Sequence, residues 1–173
     1  MSKISMVRSI TCTFIGLGNM GRELCARIGS AGFPTLAYDV NPEAAKYAED
    51  QFENVTQSDL LKALKNSSVV FSCLPNSNLV RETVDKMLYQ DGILDNVQYW
   101  VDTTSGHPGE SQRIAADLKS QGVAFFDCAV SGGPAGAAAG TLTAMVGGDP
   151  DSFTEVENII SSFAKNIVHL GPS

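Results

Sequence analysis

The sequence predicts an α/β fold, a doubly wound and mostly parallel sheet with helices on both faces, and three observations predict it. Short apolar runs alternate with helical stretches along the whole chain. Strands alternating with helices of about 10–15 residues signify crossover units in a parallel sheet. The first apolar run passes straight into Gly16-x-Gly18-x-x-Gly21, and a helical pattern follows. The segments after successive runs, GLGNMG, DVNP, LPNSN, TTSGHP and AVSGGPAG, are rich in Gly, Pro, Ser, Asn and Thr. Such segments gather at the carboxyl edge of a parallel sheet, where ligands bind.

In chain order, Thr11–Ile15 is the first strand and Asn19–Ser30 its helix. Thr35–Tyr38 is an apolar strand ending at Asp39, and Pro42, suited to the first turn of a helix, opens a helix that runs to Asp50. Asn54 and Val55 mark a short strand before a helix over Ser58–Lys65. Val69–Cys73 leads to a helix over Leu79–Leu88, and Tyr99–Asp102 to one that Pro108 starts and Gln121 ends. Ala124–Cys128, Leu142–Val146 and Ile167–Leu170 complete the strands, with a last helix over Pro150–Ala164. Right-handed crossovers wind these elements into two helical layers. Gly132–Gly140, GGPAGAAAG, is the one low-complexity patch. It reads as backbone made accessible to a ligand rather than as a linker. The chain is one domain over residues 11–173, preceded by an extension over residues 1–10.

The glycine pattern carries the chemistry. Gly16 permits a tight turn, Gly18 lets the backbone approach a pyrophosphate, and Gly21 lets the helix pack closely. The helix then offers unpaired N–H groups and a positive dipole end to phosphates. An acid belongs at the end of the second strand of such a unit, and Asp39 stands there, eighteen positions beyond Gly21. Its carboxylate suits both hydroxyls of an adenosine ribose and repels a 2′-phosphate, and Val40, Asn41 and Pro42, not Arg, follow. NAD is therefore favoured over NADP. Asp39 and Asn41 also suit a cap for the next helix, and the two roles are compatible.

Composition excludes other classes. Among 173 residues, 43% are hydrophobic and 18% charged, as in a globular domain with a substantial core. The net charge of −7 and the lack of a basic patch argue against nucleic acid. No apolar run reaches membrane-spanning length. Cys12, Cys25, Cys73 and Cys128 are scattered and read as buried free thiols in a reducing compartment. With two separated histidines and no clustered thiols or carboxylates, no metal site is expected. Lys3 and Arg8, without an acid, give the first ten residues a slight transit-peptide character over a very short length. A cytoplasmic location is expected, with a mitochondrial one open.

Together these segments resemble the β-hydroxyacid dehydrogenase family, which includes 3-hydroxyisobutyrate dehydrogenases and, more distantly, 6-phosphogluconate dehydrogenase. FIGLGNMG resembles its N-terminal fingerprint, Cys73-Leu74-Pro75 its cofactor-contacting strand end, and VDTTSGHP its D-S-S-T-x-x-P segment. FFDCAVSGGPAGAAAGTLTAMVGGD is close to its D-A-P-V-S-G-G…G-T-L…M-V-G-G block. The resemblance implies a Rossmann-type NAD(P)-binding domain. It implies that Gly16, Leu17, Gly18, Asn19, Met20 and Gly21 hold the pyrophosphate and Asp39 the ribose. Leu74 and Pro75 would line the route to the nicotinamide, with Ser105 near the ring where the family usually has Thr. Ser131, Gly132 and Gly133 would grip a substrate carboxylate with a hydroxyl and N–H groups.

Departures are also visible. Leu24, Cys25 and Arg27 replace common family residues on the first helix, Gly106 and His107 a common Ile and Asp, and Ala129 a usual Pro. The resemblance implies a second, all-helical domain opening on a G-x-G-x-x-x-K type motif whose Lys is the general acid/base. None of Lys3, Lys46, Lys62, Lys65, Lys86, Lys119 and Lys165 matches that motif; all fall in the tail or on predicted helices. His107 could titrate at the cleft edge, or simply precede a helix starting at Pro108. His169 reads as a packed or edge strand residue. The expectation is an NAD-dependent oxidoreductase interconverting a small 3-hydroxy acid, such as 3-hydroxyisobutyrate, and its semialdehyde. This chain would be its cofactor-binding half, without catalytic residues of its own. Homo-oligomers would form through the helical domain. The alternative is a non-catalytic dinucleotide-binding module, a truncated or divergent member of the family.

Overall fold

The computed structural model describes residues 10–173, so most of the N-terminal extension, with Lys3 and Arg8, lies outside the described residues. The described chain runs β1 (Cys12–Ile15), α1 (Gly21–Ser30), β2 (Thr35–Tyr38), α2 (Pro42–Gln51), β3 (Val55–Gln57), α3 (Leu60–Lys65), β4 (Val69–Ser72) and α4 (Ser77–Leu88). It continues with β5 (Tyr99–Asp102), α5 (Pro108–Ser120), β6 (Ala124–Ser131), α6 (Gly133–Ala139), β7 (Leu142–Gly147), α7 (Pro150–Ile160) and β8 (Ala164–Gly171). The strands form one sheet in the order β3-β2-β1-β4-β5-β6-β7-β8. Neighbours from β3 through β6 pair in parallel, β6 pairs antiparallel with β7, and β7 pairs in parallel with β8. The sheet is thus the doubly wound, mostly parallel layer that the alternating pattern predicts.

Period-two alternation along the strands sorts side chains into two cores. Cys12 and Phe14, Val69 and Phe71, Val101, Phe126 and Cys128 face the layer of α1, α2, α6 and α7, where Leu24, Ile28, Ala48, Val156 and Ile160 are buried. Val70, Trp100 and Phe125 face α3, α4 and α5, against Leu64, Val84 and Leu118. The Phe14 and Phe71 rings stack 6.2 Å apart. Leu24 and Cys25 lie in the first core, and Arg27 donates from Nε to the Ser162 carbonyl at 2.8 Å. The departures on α1 are thus packing residues.

Capping sets several boundaries. Asn41 accepts from Glu43 N at the start of α2, Asp59 from Lys62 N at α3, Asn76 from Leu79 N at α4 and His107 from Gly109 N at α5. Each side chain satisfies an otherwise unpaired N–H of a first turn. Three expectations are corrected. Gly132–Gly140 contains a helix, α6, whose alanines favour helix and whose Pro134 suits a first turn. The last helix ends at Ile160, so Lys165 stands on β8 and not on a helix. The sixth strand runs on from Cys128 to Ser131 because β7 pairs with it, Cys128 opposite Val146 and Ser131 opposite Thr143.

Candidate active site at the carboxyl edge

The strand order reverses between β1 and β4, the point where a parallel sheet opens a crevice. A cavity of about 460 Å³ lies there. Its lining comes from the turn after β1 (Gly16, Gly18, Asn19, Met20, Gly21), the end of β2 (Tyr38, Asp39, Val40), the end of β4 (Cys73, Leu74, Pro75) and α4 (Leu79, Glu82, Thr83, Lys86). The α4 residues fall at helical spacing on one face of that helix.

The three glycines differ in what surrounds them. Gly16 has φ 94°, and a Cβ there would lie 2.3 Å from the Cys73 carbonyl oxygen. A Cβ on Gly21 would lie 2.0 Å from the Gly16 carbonyl oxygen, so only glycine lets α1 begin so close to the turn. A Cβ on Gly18 would meet nothing within 4 Å; it faces the open cavity. The first turn of α1 carries no side-chain cap, and its N-cap residue is Met20. An uncapped helix start beside a side-chain-free backbone has the chemistry to receive an anion.

Asp39 is half-buried at the end of β2. Its Oδ2 accepts from Leu17 N at 2.6 Å and its Oδ1 from Asn41 N at 2.8 Å. The carboxylate therefore braces the glycine turn against β2 and retains lone pairs for a ligand. Leu17, expected among the pyrophosphate-binding residues, gives its N–H to Asp39, and its side chain is buried in the core. It shapes the turn and has no N–H left to offer.

The remaining expected residues separate. Leu74 and Pro75 stand in the cavity wall, where Leu74 N donates to Thr104 Oγ1 at 3.0 Å. Ser105 is exposed and lines a separate shallow hollow with Asn76, His107 and Glu110. Ser131 is exposed at the end of β6, and Gly132 and Gly133 lead into α6 with φ 130° and 66°. None of these three lines the β1–β4 cavity. His107 caps α5, and His169 stacks on Phe153 with ring centroids 4.8 Å apart. Sequence reasoning missed the α4 face with Lys86 and Glu82. Their spacing from Leu79 was the available signal, but a solvated helix face has the same pattern.

Burial shapes the thiols. It pushes Cys12 up to about 12 and raises Cys25 and Cys128 further, so these thiols stay protonated and inert. Cys73, half-buried in the cavity wall, is also raised by burial, against a hydrogen bond with Thr103 that opposes the shift. All four cysteines are free. No helix among the described residues is long and apolar enough to cross a membrane.

Residues 11–171 match the family described as the NAD binding domain of 6-phosphogluconate dehydrogenase. The chain is 33% identical over 161 residues to the human mitochondrial 3-hydroxyisobutyrate dehydrogenase, covering 91% of this chain and 47% of that protein. It is 33% identical over 162 residues to the NAD-dependent L-serine dehydrogenase of Pseudomonas aeruginosa, covering 92% of this chain and 53% of that protein. The Mycobacterium tuberculosis 3-hydroxyisobutyrate dehydrogenase, solved with L-serine, superposes with a TM-score of 0.85 at 29% identity, over 95% of this chain and 55% of its own. The chain thus spans about half the length of the relatives it matches. An open Gly18, an uncapped α1 and a cavity at the strand reversal agree with that match, and the chain belongs to the family of the NAD-binding domain of 6-phosphogluconate dehydrogenase.

Proposed function

We propose that the β1–β4 cavity binds NAD in preference to NADP, and that the chain is the cofactor-binding half of a dehydrogenase acting on a small 3-hydroxy acid. The observation that carries the cofactor reading is the pairing of Gly18, open to the cavity, with Asp39, held at its edge by Leu17 N. The residues fit the group. Gly18, Asn19, Met20 and Gly21 would hold the pyrophosphate with backbone N–H groups and the dipole of α1. Asp39 would accept the ribose hydroxyls and oppose a 2′-phosphate. Leu74 and Pro75 would shield the far end from water, with Ser105 nearby. Once bound, the nicotinamide supplies hydride transfer, while the protein supplies position and electrostatics. The kinship with 3-hydroxyisobutyrate and L-serine dehydrogenases supports the substrate class. Ser131, Gly132 and Gly133 are proposed to take the substrate carboxylate.

Titration of NAD and NADP by calorimetry tests the reading. NAD is expected to bind more tightly by about 1–3 kcal/mol, the scale of a lost charge-assisted hydrogen bond. Equal affinities, or a preference for NADP, would remove Asp39 from the ribose role.

A second reading, a binding module without turnover, is favoured by where the lysines lie. Among the described residues Lys46, Lys62, Lys65, Lys86 and Lys119 are on helices and Lys165 is on an edge strand. Of these only Lys86 lines the cavity, as do Glu82 and Asp39. A positioned acid/base contributes about 10²–10⁴-fold to such a reaction. We propose that the 173 residues alone turn over slower by that factor than the human mitochondrial 3-hydroxyisobutyrate dehydrogenase. Steady-state assays with NAD and 3-hydroxyisobutyrate or L-serine check it, and comparable rates would make His107 the first residue to mutate.

A further inference from the structure

A chain of buried polar groups runs beneath the β4 wall of the cavity. Ser72, at the end of β4, is fully buried, and Asp102, at the end of β5, is 5% exposed. Trp100 Nε1 donates to Ser72 Oγ at 3.0 Å, and Ser72 Oγ donates to Asp102 Oδ1 at 2.8 Å. The indole can only donate, so the single serine proton must point at the carboxylate. Thr104 N donates to the same Oδ1 at 3.2 Å, and Thr104 Oγ1 accepts from Leu74 N at 3.0 Å. Thr103 adds two bonds to the Ser72 carbonyl, from N at 2.7 Å and from Oγ1 at 2.8 Å.

We propose that Asp102 is a positioning residue for the cofactor cavity, acting through Thr104 on the wall formed by Cys73, Leu74 and Pro75. The inference rests on the reading of that cavity as a dinucleotide site. Leu74 lies above the β4–β5 ends and receives its only fixed side-chain partner from Thr104 among the described residues. Thr104 is itself fixed through its amide by Asp102. The wall touches the glycine turn directly, since a Cβ on Gly16 would meet the Cys73 carbonyl oxygen at 2.3 Å and Leu74 Cδ2 at 2.8 Å. A displaced Leu74 therefore presses on Gly16 and alters the turn that faces the phosphates. A carboxylate is not what the core needs at this place. Well-packed apolar groups serve buried positions as well or better where stability alone is at stake. Burial raises the Asp102 carboxyl above its ordinary range, Asp127 adds to the rise, and hydrogen bonds from Thr104 and Ser72 oppose it. A costly group kept in place by two donors, Ser72 Oγ and Thr104 N, beside a ligand wall, holds geometry.

Three variants test this: Thr104→Val, which keeps shape and loses the acceptor; Thr104→Ser, which keeps the acceptor; and Asp102→Asn. NAD affinity is read by calorimetry, melting temperature without NAD by scanning calorimetry, and Leu74 amide exchange by NMR. Thr104→Val is expected to weaken NAD about tenfold and to speed Leu74 exchange at least about tenfold, the scale of one lost hydrogen bond. Thr104→Ser should restore both to within about twofold, and Asp102→Asn should move both in the direction of Thr104→Val. A lower melting temperature with unchanged NAD affinity means a structural role only and overturns the inference. So does unchanged Leu74 exchange in Thr104→Val. If the unaltered chain takes up neither NAD nor NADP, the dinucleotide reading falls and this inference with it. Tight binding by all four proteins defeats the positioning role alone.

Discussion

Two glycine-rich turns each carry a strand into a helix here, and they end differently. After β1, Gly16 abuts Cys73 and Gly21 abuts Gly16, while Gly18 and Asn19 between them are exposed. After β6, Ser131 and Gly132 are exposed, and a Cβ on Gly133 would meet nothing within 4 Å. Neither following helix has a side-chain cap. The first turn sits where neighbouring parallel strands diverge, so β2 and β4 wall it on both sides. The second lies beyond the parallel pairing of β5 with β6, which stops at Asp127, and beside β7, which runs antiparallel. The first helix start is therefore flanked by two parallel strand ends, whereas the β6 turn lies against β7, a Cβ on Gly132 meeting Leu142 Cδ2 at 2.8 Å.

The strongest way to break this contrast is Gly18→Val. A branched side chain would fill the space proposed for the pyrophosphate, and its Cβ would meet no protein atom within 4 Å. NAD binding is expected to be abolished, with stability within about 0.5 kcal/mol of the original. Melting curves with and without NAD check both parts, since a ligand that binds only the native state raises the melting temperature. A normal NAD shift in the variant would place the phosphates elsewhere.

Gly21→Ala tests the enclosed side of the same turn. Its Cβ would lie 2.0 Å from the Gly16 carbonyl oxygen. Overpacking of this kind costs about 1–3 kcal/mol, and chemical denaturation should show that loss even without cofactor. Unchanged stability would mean that α1 moves away from the turn freely.

Asp39→Asn sharpens the comparison from the ligand side. The amide can still accept from Leu17 N, but the charge opposing a 2′-phosphate is gone. The preference for NAD over NADP should shrink by about 1–2 kcal/mol in paired titrations. A preference that does not move would place discrimination elsewhere in the cavity.

The smallest effect belongs to the β6 turn. Gly133 has φ 66°, a conformation that costs an alanine about 1–2 kcal/mol. Gly133→Ala should lose about that much stability and leave NAD affinity within about twofold. A large drop in NAD affinity would join the two turns into one site.

The legible part of the fold is local. Gly16-x-Gly18-x-x-Gly21, the apolar strands and Asp39 are contiguous signals, and the sheet and its cavity stand where they point. The illegible part depends on distant partners. β6 reads as ending at Cys128 because nothing in Ala129-Val130-Ser131 announces that β7 will pair with it. The helix in Gly133–Ala139 was readable from its alanines, its early proline and the left-handed Gly140 that ends it, but repeated glycine suggested open backbone instead. Leu17 looked like one more donor in a binding loop, and only the fold shows its N–H spent on Asp39.

Trp100 is the single tryptophan of the chain, wholly buried and bonded through its indole to Ser72. Its intrinsic emission therefore comes from one known place, shielded from water, three hydrogen bonds from the Thr104 that carries Leu74. The domain has a built-in optical gauge on the floor of its own ligand wall, and no label need be attached to read it.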